Sequence, residues 1–220
     1  MLCLLTGMAW LYVQPVQAQK KEIAAAKDLV KAGKNLDQAQ KNMEKLLLDS
    51  ANRANRKIWA VLYDAVRKQY EQGNEQLYLK QKYDTAKLFS LTRQLFVIAE
   101  GIDSVESIPN RKGKVEIESR KGHAEYLNQI RPNLYNGGSW VVRKQNYAEA
   151  FRFFDKYISC AHIPLFEGYD YQQHDKYLPS AAYWAVYCGY KMKNPKATLH
   201  HSYEALKDTA HYDYMLQFLA

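Results

Sequence analysis

The stretch Leu134-Tyr135-Asn136-Gly137-Gly138, with Val141 and then Tyr147-Ala148-Glu149-Ala150-Phe151-Arg152-Phe153-Phe154, decides how this chain is read. The turn-forming Lys144-Gln145-Asn146 separates two segments of helical periodicity. Small residues at Gly138 and Ala150 allow the two helices to cross closely, while Tyr147 and Phe154 are large enough to wedge between neighbours. The stretch therefore predicts an antiparallel helical hairpin.

The pattern recurs along the chain. Leu36-Asp37-Gln38-Ala39, Tyr83-Asp84-Thr85-Ala86, Tyr147-Ala148-Glu149-Ala150 and Asn194-Pro195-Lys196-Ala197 align, with their alanines 47, 64 and 47 positions apart. On Leu134, Gly138, Tyr147, Ala150 and Phe154 the chain resembles the tetratricopeptide repeat family; Val141 stands where that family usually carries Tyr. The spacings exceed the roughly 34 residues of a regular repeat, so the hairpins carry insertions or lengthened helices. The fold class this resemblance implies is all-α: a right-handed superhelical stack of antiparallel hairpins, an α-solenoid, with long inter-helix loops. Two such loops are expected, at Ser104–Gly122 and Ile163–Pro179, where Gly, Pro and polar residues interrupt the periodicity. In the last hairpin the frame placing Thr198 at the small position lets Pro195 open the second helix, where a missing N–H costs least.

The first half carries the apolar stripe Trp59, Leu62, Tyr63 and Val66, then Gln72-Gly73-Asn74, then a long run containing Leu88, Phe89, Leu95, Phe96 and Ala99. These read as a helical hairpin, either a repeat unit or a generic one. Val115–Ile117 and Ser139–Val142 are the only short strand candidates, and the second reads as helix. The expected organisation is an export signal over 1–18, helical hairpins over 19–101, a basic loop over 102–122 and repeat-like hairpins over 123–220.

The signal reading rests on the apolar segment Leu2–Val13 and the small-residue ending Val16-Gln17-Ala18. About a dozen apolar residues are too few to span a bilayer comfortably. No Lys or Arg precedes Leu2, so the natural start is expected upstream, and Cys3 lacks a lipoprotein context. The apolar spacing Tyr212, Met215, Leu216, Leu219 runs to the last residue without a cap, which suggests that the chain continues. Localisation is expected to be periplasmic or outer-envelope. Export leaves Cys160 and Cys188 in the mature chain, as buried thiols or as a disulfide.

The net charge is +8 and the pI about 9.2, with the cations dispersed over Lys20-Lys21, Lys27, Lys31, Lys34, Arg53, Arg56, Lys57 and the 111–121 segment. No nucleic-acid motif accompanies them, so an acidic protein or anionic glycan is the better partner. His200, His201 and Glu204 lie close in sequence, and His162 and His174 stand near Asp170 and Asp175, but no zinc motif occurs and no metal is expected. Ser139 after Gly137-Gly138 lacks a Gly-x-Ser-x-Gly setting; no catalytic residue and no cofactor is expected.

A binding surface is what remains. In the family resembled, the first helix of each hairpin lines the concave face. Mapped onto this chain, that places Arg67 and Lys68 beside Asp64, then Tyr135, Ser139 and Arg143, then Tyr183, Tyr187, Tyr190 and Lys191. Aromatic and basic groups together suit an extended peptide or a glycan. Asp64 and Ser139 depart from the family's carboxylate-clamp pattern. Three functions follow as expectations: a non-catalytic exported scaffold for a protein or peptide; a glycan-binding module using Tyr169-Asp170-Tyr171 and Tyr177; or an accessory domain of an enzyme whose active site lies in a missing C-terminal region.

Overall fold

The computed structural model describes residues 6–110 and 112–220, with side chains described from Gln17 onward. Residues 1–5 of the expected signal segment, Cys3 among them, lie outside the described residues, as does Arg111; the remainder of that segment is helical. Every regular element among the described residues is helical. The chain divides into two compact units: one runs through Tyr83 and resumes over Val97–Glu118, and the other comprises Asp84–Phe96 and Ser119–Ala220.

The first unit contains α1 (Thr6–Ala32), α2 (Leu36–Leu48), α3 (Arg56–Tyr78) and the second half of α4 (Thr85–Glu106). Gly33 at φ 68° and Asn35 at φ 50° reverse the chain between α1 and α2, a left-handed geometry that Gly and Asn adopt most cheaply. Leu36, Ala39 and Met43 then face inward at helical spacing. Helix α3 starts where the Asn55 side chain accepts from the Lys57 amide, and it buries Ile58, Val61, Leu62, Tyr63, Ala65 and Val66.

The break expected at Gln72-Gly73-Asn74 is absent, because α3 continues to Tyr78 and the reversal falls at Lys80, φ 57°. Gly73 has a packing reason instead: a Cβ there would come within 2.4 Å of the Tyr83 ring. Trp59 similarly occupies the space above Gly101, 2.5 Å from where a Cβ would stand, and its indole N–H donates to the Arg53 carbonyl at 2.8 Å.

The expected loop at Ser104–Gly122 is shorter than its composition implied, since α4 persists to Glu106 and α5 (Arg120–Ile130) begins before Gly122. Its turn is organised by Asn110, whose side-chain oxygen accepts from the amides of Lys112 and Lys114.

The second unit holds the first half of α4, then α5, α6 (Pro132–Arg143), α7 (Tyr147–Ser159), α8 (Tyr171–His174), α9 (Leu178–Lys191), α10 (Pro195–His200), α11 (Ser202–Ala205) and α12 (Tyr212–Leu219). The deciding stretch forms α6 and α7, which pack on each other and α7 in turn on α9. Gly138 lies under Phe154 and Gly137 under Phe153; added Cβ atoms would stand 2.7 and 2.9 Å from those rings. Asn146 caps α7 through the Glu149 amide, and Asn194 caps α10 through the Ala197 amide. Thr198 is buried, and α9 approaches α10 so closely at Gly189 that a Cβ would lie 2.4 Å from the Thr198 nitrogen.

The segment expected as a loop at Ile163–Pro179 instead folds into a 3-10 turn over Pro164–Tyr169 followed by α8. Leu165, Phe166 and Tyr171 are buried there, with Phe166 against Phe96 at 5.7 Å between ring centroids. Burial of these apolar side chains orders a segment whose Gly and Pro content suggested otherwise. In α12 the buried residue is Met215, while Tyr212 and Leu216 are exposed.

Glycines that look alike in sequence thus have opposite mutational signs. Gly189→Ala meets α10 backbone and is expected to lose about 1–3 kcal/mol in denaturant unfolding. Gly122→Ala, with nothing within 4 Å inside α5, is expected to gain about 0.5–1 kcal/mol.

Candidate functional site

The residues expected to bind a partner fall in both units. In the first, Arg67 pairs with Glu71 at 2.8 Å one turn along α3. Lys68 donates to the Val30 carbonyl at 2.9 Å, placing its charge at the negative end of α1. Gln72 donates to the Gly33 carbonyl beside it. These groups hold the α1–α2 reversal onto α3, so much of their donor capacity is already used. Asp64 nearby has its carboxyl pushed up by burial against the pull of Arg67 and Lys27.

In the second unit, the remaining candidates sort by what touches them. Tyr135 is a wedge: its ring meets Phe154 edge-on at 5.6 Å and Tyr157 at 5.8 Å, and its hydroxyl hydrogen-bonds Ser180 Oγ at 3.0 Å. Ser139 is half-buried and Arg143 exposed. Tyr183 is only 6% exposed, stacked on His211 at 4.1 Å, which removes it from any open surface. Phe218 of α12 accounts for the rest of that stripe, with centroids 6.1, 5.8 and 4.7 Å from Tyr183, Tyr187 and Tyr190. Tyr190 nevertheless keeps 48% of its surface.

One cluster combines accessible rings with cations. Tyr187 meets Tyr147 edge-on at 5.9 Å and Trp184 at 5.5 Å, and Lys191 Nζ stands 5.6 Å from the Tyr147 centroid and 5.9 Å from that of Tyr187. Burial and then a hydrogen bond with Tyr147 raise the Tyr187 phenol above its ordinary value. Beyond Tyr147, Lys144 stands over Trp140 at 5.5 Å. Trp140, Lys144, Phe89 and Phe153 line a hollow of about 260 Å³. None of Arg143, Lys144 and Lys191 is paired with a carboxylate among the described residues. Glu149, which also borders the hollow, is held by Arg93 at 3.1 Å and Arg152 at 3.2 Å.

Two arrangements went unrecognised in the sequence. Arg131 is buried with its guanidinium between the rings of Tyr157 and Tyr171, 3.7 and 3.8 Å from their centroids. It donates to Asp175 at 2.6 Å and to the Tyr157 carbonyl at 3.0 Å. Tyr171, its hydroxyl bonded to Asn128 at 2.6 Å, is therefore a core residue, and the Tyr169-Asp170-Tyr171 motif offers no open two-ring platform for a sugar. Only the buried position of Arg131 reveals its role, because the Arg-Pro dipeptide gives no local sign of a partner 44 residues on.

The other is Asp155, whose oxygen lies 2.8 Å from His201 Nε2 and 3.4 Å from His200 Nε2. Burial pushes this carboxyl up, but the His201 hydrogen bond and the charges of His201, His200 and Lys156 outweigh it and hold it below the ordinary carboxylate value. Glu204, the acid adjacent in sequence, instead pairs with Lys207 at 2.7 Å. His162 meets Gln172 and His174 meets Asp170, so those two rings serve separate local contacts. Cys160 and Cys188 are both buried thiols not joined in a disulfide, and burial pushes the Cys188 thiol up to about 12.

No protein-family model matches the chain, and neither a curated protein nor a solved structure matches it at a significant level. Among the described residues no helix is long and apolar enough to cross a membrane.

Removing the Arg131 side chain leaves Asp175 buried without its cation, so Arg131→Ala is expected to cost about 3–5 kcal/mol in urea unfolding. Burial also raises the phenols of Tyr157 and Tyr171 well above their ordinary 10.0. The unfolded chain then loses those protons first, so stability holds below pH 10.0 and falls as pH rises above it. Tyr171→Phe is expected to flatten that alkaline decline in denaturant midpoints measured from pH 9 upward.

Proposed function

We propose that this chain is a non-catalytic, exported helical scaffold, similar in logic to tetratricopeptide proteins of bacterial envelopes, that holds an acidic peptide segment of another protein. The segment lies across the edge of the second unit formed by the α6–α7 turn and the end of α9. The observation that carries this reading is Lys191, an exposed ammonium standing over Tyr147 and Tyr187 with no carboxylate partner among the described residues. Lys144 over Trp140 repeats the situation at the neighbouring turn, with the exposed Arg143 next to it in sequence. Rings supply contact area at low conformational cost and the cations take the carboxylates, while the hollow beside Trp140 suits an apolar anchor.

Tyr147, Trp184 and Tyr187 join Lys191 in this reading, and Tyr183 leaves it because its ring is covered. Export rests on the apolar segment Leu2–Val13 and the ending Val16-Gln17-Ala18. Gln19, the first residue after that ending, bonds Asn52 through its side chain, and Ala26 is fully buried. The part of α1 that anchors the first unit thus survives removal of the signal.

The test is titration of the full chain with an extended Glu-rich peptide carrying one Phe, followed by tryptophan fluorescence. Binding is expected to weaken with salt and to fall at least tenfold in Lys144→Glu/Lys191→Glu, while Lys114→Glu leaves it unchanged. Equal binding by all three proteins, or none by the parent chain, rejects the reading.

A further inference from the structure

Consecutive residues of an α-helix point about 100° apart, so an unbroken helix through His200 and His201 sends their rings to different neighbours. This chain breaks the helix there. Helix α10 ends at His200, His201 takes φ −117° and ψ 17°, and α11 starts at Ser202. Both imidazoles consequently turn toward one oxygen of Asp155 on α7, with ring centroids 4.3 Å apart. Phe151, one turn before Asp155, stands against both rings at 6.4 and 6.2 Å.

The hydrogen bond from His201 to Asp155 accounts for one ring, but not for the second. His200 leaves 57% of its side chain in solvent and still places Nε2 3.4 Å from the same oxygen. The three ligand atoms lie within 4.8 Å of one another. Around a four-coordinate zinc ion, with bonds of about 2.0–2.1 Å, neighbouring ligand atoms stand roughly 3.3 Å apart. The two separations from Asp155 bracket that value, and rotation of the exposed His200 side chain brings in the third.

We propose that Asp155, His200 and His201 form a binding site for a divalent first-row transition-metal ion, through both Nε2 atoms and one Asp155 oxygen. Two imidazoles and a carboxylate select zinc, cobalt or nickel over magnesium or calcium. His201 and Phe151 wall the site on one side, with His201 13% exposed, and the side beyond His200 leaves a fourth position to water. The ion ties α7 to the α10–α11 break, two segments 45 residues apart in sequence. The absence of a zinc motif is no obstacle, because the carboxylate comes from the neighbouring hairpin rather than from the histidine segment.

Zinc titration of the full chain by calorimetry at pH 7.5, with cobalt absorption in the visible as the coordination signature, tests this. One zinc per chain is expected, with tetrahedral-type cobalt bands. His200→Ala removes an exposed ring, so it keeps the fold; it is expected to weaken zinc binding at least tenfold and abolish the bands. Asp155→Asn is expected to do the same, and His174→Ala to change neither readout. No stoichiometric zinc binding by the parent chain, or binding and bands unaltered in His200→Ala, overturns the proposal.

Discussion

A buried arginine between two tyrosine rings organises the second unit. Arg131 sits where α5 gives way to α6, yet its charge is neutralised by Asp175 and its faces are covered by Tyr157 of α7 and Tyr171 of α8. A guanidinium this deep is tolerable only while every partner is present, since desolvation costs several kcal/mol per ion. The ion pair therefore acts as a specificity device more than as a source of net stability. It ties the α8 segment, which follows the buried Leu165 and Phe166, to the α5–α6 junction. With that segment placed, α9 begins at a defined point and carries Trp184, Tyr187 and Lys191 to the α6–α7 turn.

Helix pairs in this unit are set by glycines that omit a side chain where something else must go. Gly137 and Gly138 admit Phe153 and Phe154, and Gly189 admits the backbone of α10 itself. The contrast matters for function. Where an aromatic ring fills the gap, neighbouring side chains can adjust, but where backbone fills it the two helices are fixed relative to each other. The α9–α10 pair is of the second kind, and it carries Lys191 at one end and the histidine pair at the other.

Local signals in the sequence were reliable where the structure depends on local geometry. The α6–α7 hairpin, its turn at Lys144-Gln145-Asn146, the helical state of Ser139–Val142 and the burial of Thr198 all follow from residues within a few turns. Signals failed where a distant residue decided the outcome. Gly73 resembles a turn but lies inside α3 because Tyr83 needs its space. Ile163–Pro179 has a loop's composition but is ordered by Phe96 and Arg131. The aromatic stripe of α9 was visible as a stripe, yet nothing near Tyr183 announces that His211 and Phe218 cover it. Asp155 could be joined to the histidines only in three dimensions.

Cys188 sits fully buried on α9 between Tyr187 and Gly189, with its thiol held protonated by burial. A thiol in that state does not react from the native fold, since the thiolate is the nucleophile and no surface reaches it. Any alkylation of Cys188 then proceeds through transient separation of α9 from its neighbours. The residue is a built-in clock: its labelling rate reads how often the helix bearing the aromatic and basic edge comes away from the core.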